Sequence, residues 1–244
     1  MNRYEEKGQM KIELKYTIVY FNHEPIHPTI NYSIIMSLFT VLSEEEIREE
    51  IESGADVNET IEFDITPLHI QVSTGSVRAL IDAGVDVNAR NQINETPLHF
   101  QKEEGAVMLL IYAGADVNSK DDSNATPLHY QADPGAVKAL IESGADVNIR
   151  DNCGRTPLQF QTDERITGLL IEAGADVNTR DEKGDTPLHW QYDEGSVRLL
   201  IESGANVHEM NNIGVTPLQS NIVVRTVVQE MNIEKRYRRS VNVS

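Results

Sequence analysis

Apolar and polar positions along this chain repeat with one long period. Thr-Pro-Leu begins at Thr66, Thr96, Thr126, Thr156, Thr186 and Thr216, so its leucine returns every 30 residues. A second mark, Gly-Ala-Asp-Val-Asn or a near relative, begins at Gly54, Gly84, Gly114, Gly144, Gly174 and Gly204, at the same interval. Two separate marks held in phase over six copies define a tandem array. Each unit is then one small supersecondary element that buries its apolar face against its neighbours.

Each unit predicts two helices. Thr66 is an N-cap, and Pro67 sits at the first helical position, where its missing N–H costs nothing. Leu68 then faces the core. This first helix is short, because Ser73-Thr74-Gly75 soon breaks it. A second helix follows with apolar residues at helical spacing, such as Val137, Leu140 and Ile141. Gly144 ends it as a left-handed cap, and Ala145-Asp146-Val147-Asn148 leads into an extended loop. The turn of that loop places Gly154, Gly184 or Gly214 at one register and Asp64, Asn94 or Asn124 in the other copies. These residue types tolerate positive φ.

Thr-Pro-Leu-His, the helix pair and Gly-Ala-Asp-Val-Asn resemble ankyrin repeats over roughly Met36 to Met231. The resemblance implies an all-α, helix-turn-helix solenoid of about seven units with short β-hairpin-like loops. One departure is systematic: the family unit is about 33 residues, and here it is 30, as in compact variants seen in bacterial proteins. The missing residues fall between Thr-Pro-Leu-His and the second helix, so each first helix should lose most of a turn.

The chain divides accordingly. Residues 1–35 form an N-terminal extension, a strand or extended arm, because Ile12 to Phe21 partly alternates and Pro25 and Pro28 oppose a helix. Residues 36–65 are an N-terminal capping repeat with an acidic outer surface. Residues 66–215 hold five repeats. Residues 216–233 are a C-terminal capping repeat, with a helix expected near Arg225 to Ile233. Residues 234–244 are a basic tail, Lys235-Arg236-Tyr237-Arg238-Arg239.

Charge sharpens the expected partner. Residues 36–215 carry 12 basic and 33 acidic side chains, out of 21 and 39 in the whole chain. That surface repels nucleic acid and anionic membranes and favours a basic protein surface. Hydrophobic residues make up 39% and aromatics 6%, lean for a globular core but adequate for a thin stack. The single Cys153 cannot form an internal disulfide, which fits a reducing compartment. No signal peptide or membrane span is read. The expected location is the cytoplasm, or a host cell reached by a non-classical route.

Several columns recur at the 30-residue period. His69, His99, His129 and His189 alternate with Gln159 and Gln219. A metal ladder is disfavoured, because stacked helices stand about 10 Å apart while a ligand must lie about 2 Å from its metal. Hydrogen bonding within and between repeats, the role this His has in the family, is one Gln could share. The Asp and Asn columns lack the oxygen density of a calcium loop and read as turn chemistry. No catalytic, cofactor-binding or metal-binding residue is assigned.

A third column is unusual. Ile70-Gln71, Phe100-Gln101, Tyr130-Gln131, Phe160-Gln161 and Trp190-Gln191 stand where the family carries Leu-Ala. The glutamines read as caps for backbone exposed by the early turn. The aromatics Phe100, Tyr130, Phe160 and Trp190 are open to two readings: filler for vacated space, or a binding strip on the concave face. Hairpin tips vary most between copies: Glu62-Phe63, Gln92-Ile93, Asp122-Ser123, Asn152-Cys153, Glu182-Lys183 and Asn212-Ile213. Variation on a constant scaffold marks a bespoke surface. The resemblance implies a monomeric, non-enzymatic scaffold that binds a partner protein through tips and groove. The alternative is a structural spacer without a partner of its own.

Overall fold

A computed structural model describes residues 9–14, 17–22, 38 and 41–241 of this 244-residue chain. The rest of the N-terminal extension, most of the opening of the first unit and residues 242–244 lie outside the described residues. So do the side chains of the basic run.

Strands β1 (Gln9–Leu14) and β2 (Thr17–Asn22) pair antiparallel, with Gln9 opposite Asn22 and Leu14 opposite Thr17. The alternation read over Ile12 to Phe21 therefore belongs to two strands. The register sets even-numbered positions of β1 against odd-numbered positions of β2, so one continuous alternation does not carry across the pair.

The array begins with α1 (Glu44–Glu52). Five long helices follow at one register: α3 (Thr74–Asp82), α5 (Glu104–Tyr112), α7 (Pro134–Glu142), α8 (Glu164–Glu172) and α10 (Glu194–Glu202), each of nine residues. Before them come the Thr-Pro-Leu helices, reduced to a single turn: α2 (Pro67–Ile70), α4 (Pro97–Phe100), α6 (Pro127–Tyr130) and α9 (Pro187–Trp190). In one unit this turn is a 3-10 helix, Pro157–Gln159. The final unit holds α11 (Pro217–Ser220) and α12 (Ile222–Val241). Long helices pack on long helices and short on short from one end to the other, which makes the array a solenoid.

The core is a continuous row inside that stack. Leu68, Leu98, Leu128, Leu158 and Leu188 are at most 1% exposed, as are Val77, Leu80, Val107, Leu110, Val137, Leu140, Ile166, Leu170, Val197 and Leu200. Each long helix from α1 to α10 stops at a glycine. Gly144, for example, has φ 89°, and its N–H reaches Ile141 O while Ala145 N–H reaches Leu140 O. That left-handed position is one a side chain adopts only at a cost. Helix α12 begins three residues before the expected Arg225, and because Glu234 stands where the glycine column would continue, it runs on through the basic segment to Val241.

Candidate protein-interaction surface

Four sets of hydrogen bonds, each repeated along the array, hold the surface in place. The first uses the His/Gln column. His69 Nδ1 accepts from the Thr66 backbone N–H at 3.2 Å, and Thr66 Oγ1 lies 2.7 Å from the same nitrogen. His69 Nε2 donates to Glu95 O, immediately ahead of Thr96, which opens the next unit. His99, His129 and His189 repeat this geometry toward Ala125 O, Arg155 O and Val215 O. Since a carbonyl only accepts, these rings carry their proton on Nε2. Gln159 reproduces both contacts, Oε1 accepting from Thr156 N–H and Nε2 donating to Asp185 O. Burial lowers the pKa of His69, His99 and His129, against the raising effect of their carbonyl partners.

The second set is the glutamine column, which is buried throughout. Gln101 Nε2 donates to Gln71 O, Gln131 to Gln101 O, Gln161 to Gln131 O and Gln191 to Gln161 O, at 2.7 to 3.1 Å. Gln71 starts the ladder at Leu38 O, and Asn221 ends it at Gln191 O. Gln131 Oε1 and Gln191 Oε1 also accept the two loop N–H groups that follow them. The third set joins the Asp-Val-Asn loops. Asn88 Nδ2 donates to Gly114 O, and Asn88 Oδ1 accepts from Asp116 N–H; Asn118, Asn148 and Asn178 do the same one unit on.

The fourth set fixes the tips. Each tip N–H donates to the carbonyl of the tip before it: Gln92 to Phe63, Asp122 to Ile93, Asn152 to Ser123, Glu182 to Cys153 and Asn212 to Lys183. The expected tip residues Glu62, Phe63, Gln92, Ile93, Asp122, Ser123, Asn152, Cys153, Glu182 and Lys183 are all exposed, and this backbone ladder sets them side by side along one edge. The left-handed turn positions are Asp64, Asn94, Asn124, Gly154, Gly184 and Gly214, as the residue types suggest, with Phe63 in addition.

The aromatic column borders the tips in a half-buried state. Phe100, Phe160 and Trp190 are partly covered and Tyr130 is 44% exposed. Phe100 meets the His69 ring at 5.7 Å and Phe160 meets His129 at 5.4 Å, both edge-on, while Tyr130 lies 6.1 Å from His99. Tyr130 Oη donates to Asp121 Oδ2, and Trp190 Nε1 donates to Asp181 Oδ2. Burial and that carboxylate together raise the Tyr130 pKa. The Arg155 guanidinium stands 4.4 Å over the Phe160 ring while paired with Asp151. Each aromatic thus fills space with one edge and keeps another open.

Sequence reasoning missed the residues that brace this surface. Asp121, Asp151 and Asp181 are at most 8% exposed. One carboxylate oxygen serves the tip backbone, and the other serves Tyr130, Arg155 or Trp190. Their signal was available: Asn91, Asp121, Asp151, Asp181 and Asn211 form another 30-residue column. Exposed Tyr112, Tyr192, Met210 and Ile222 were also passed over; Tyr112 and Met210 are apolar breaks in mostly polar columns, while Tyr192 and Ile222 share a column with Val72 and Ala132.

Family comparison agrees with this geometry. Residues 100–164 match a model of three ankyrin repeats, and residues 63–92 and 183–212 each match a single ankyrin repeat, together just over half of the chain. The chain is an ankyrin repeat protein. No curated protein matches it. Ankyrin repeats mediate protein–protein interaction and are typically non-enzymatic modules. Among the described residues of this ankyrin array, no helix is long and apolar enough to cross a membrane.

Proposed function

We propose that this ankyrin repeat protein is a monomeric scaffold that binds a partner protein through its hairpin tips and the adjoining groove. It has no catalytic role of its own. The partner presents a basic surface and is not a nucleic acid. The division of labour among the columns carries this reading. The His, Gln and Asn positions are occupied in joining one repeat to the next, whereas the tip residues change from copy to copy and are exposed, with Asp122 and Asn152 alone among the proposed tip residues also shown bonding a neighbouring unit through their side chains. Acidic residues along the array favour a basic partner.

The test is a set of alanine replacements at Glu62, Phe63, Gln92, Ile93, Asp122, Ser123, Glu182 and Lys183, followed by pull-down with low-salt and then high-salt washes. Loss of a salt-sensitive partner with an unchanged far-ultraviolet helical signal supports the proposal. Retention of the partner places the interaction elsewhere. Absence of any salt-sensitive partner for the unsubstituted chain favours a spacer.

A further inference from the structure

One tip is built differently from the others. In the later tips an Asx side chain organises the turn. Asn91 Oδ1 accepts from the N–H groups of Ile93 and Glu95, at 3.1 and 2.9 Å. Asp121, Asp151, Asp181 and Asn211 do the same for the residues two and four positions on. In the first tip this position is Ile61, which has no oxygen to offer. The backbone closure is the one every later tip has, Ile61 N–H to Ile65 O as Asn91 N–H to Glu95 O, but without the side-chain acceptor two successive residues turn left-handed, Phe63 at φ 67° and Asp64 at φ 58°.

Asp64 sits where the other units place Asn or Gly. Phe63 does not, since its counterparts Ile93, Ser123, Cys153, Lys183 and Ile213 keep negative φ. A bulky side chain in the left-handed region is strained. Burial offers little return, because Phe63 is 56% exposed. Retained strain of this kind clusters at binding sites.

The surroundings specify an occupant. Phe63 O accepts the N–H of Gln92 at 2.9 Å, which sets Ile93, itself 53% exposed, beside it. Glu62 and Asp64 flank the pair, and neither of these two tips carries Lys or Arg. The nearby Arg90 guanidinium is engaged with Asn94 O and Lys120 O. Ile213 is more exposed, at 83%, but has an ordinary backbone and no carboxylate in its tip.

We propose that Phe63 and Ile93 are the anchor of the interaction surface, and that they receive a partner-protein segment carrying a large apolar side chain flanked by Lys or Arg. This deepens the scaffold reading above and rests on it. Buried apolar contact at the centre supplies affinity, and the carboxylates at its rim select the basic flank.

The experiment selects a random dodecapeptide display library against the full chain and measures the enriched peptides against variants. The anchor requires peptides with a large apolar residue beside Lys or Arg, and an affinity loss of about tenfold or more for Phe63→Gly and Phe63→Asn. Both replacements tolerate the turn, so the denaturation midpoint should hold or rise. If one of them fails to fold, the other carries the measurement. Alanine replacement of Asn152, Cys153, Glu182 and Lys183 should cost less than about threefold by comparison.

Peptides indifferent to Phe63→Gly but lost with the later tips overturn the anchor while leaving the tip surface standing. Enriched peptides without basic residues overturn the stated partner chemistry. Peptides indifferent to every tip replacement, or a selection that enriches nothing, overturn both the anchor and the scaffold reading.

Discussion

Replacing Gln131 with alanine cuts the buried ladder at its centre. The substitution strands Gln101 O, which loses its 2.9 Å bond inside the stack, and removes the acceptor for the Ala132 and Asp133 N–H groups. A buried carbonyl without a partner costs about 1–3 kcal/mol. Losing the buried stem adds about 1 kcal/mol. Ala132 is exposed, so water can satisfy its N–H and that contact adds little. The expected loss is about 2–4 kcal/mol, a large share of an ordinary folding stability of about 5–15 kcal/mol. Urea denaturation followed by circular dichroism at 222 nm measures it. With a slope of about 2 kcal/mol per molar, the midpoint should fall by about 1–2 M. Ser123→Ala, at an exposed tip, should move it by less than about 0.3 M, because surface changes stay within about 0.5 kcal/mol. Gln131→Met keeps the volume but not the bonds. If it restores the midpoint fully, the glutamine is only filler and the reasoning fails.

Other outcomes follow from the same geometry. The lowered pKa of His69, His99 and His129 means the unfolded chain takes up protons first as pH falls, so stability conferred by the neutral rings is complete above about pH 6.5 and declines below it toward the folded values. Replacing all three with Gln, which Gln159 shows can keep both contacts, should flatten the denaturation midpoint between about pH 7.5 and 5.5; an unchanged slope contradicts the assignment. Gly144→Ala meets no atom within 4 Å, so its cost should be the left-handed backbone alone, about 1–2 kcal/mol, read as a midpoint shift without a change in slope. Leu128→Ala, at a fully buried site, should lose about 2–5 kcal/mol in the same assay.

Much of this fold was legible because the array repeats its local rules. The Thr-Pro start, the glycine stop and the Asx or Gly turn each follow from φ preferences that a residue carries wherever it stands. Thirty-residue phasing then shows which residues line up in columns. The single-turn first helix also followed, since a unit three residues short has to lose them somewhere. By contrast, Phe63 gave no local warning of its left-handed backbone. That depends on what Ile61 cannot accept, a relation across the turn. The extent of α12 turned on a missing glycine, and an absence is easily overlooked in a degenerate copy.

The sequence by itself determined the unit, its register, its caps and the row of leucines and valines that forms the core. Only the tertiary structure decided what each polar column bonds to. Gln131 meets Gln101 O and His129 meets Arg155 O because stacking brings a neighbouring repeat's carbonyls within reach, on the preceding side for one and the following side for the other, at separations of 30 and 26 residues. It likewise decided that the aromatics are half-covered and the tips open. Exposure belongs to a packed neighbourhood, where each repeat covers part of the one beside it, and a periodic sequence states the neighbour without stating how much of it is covered.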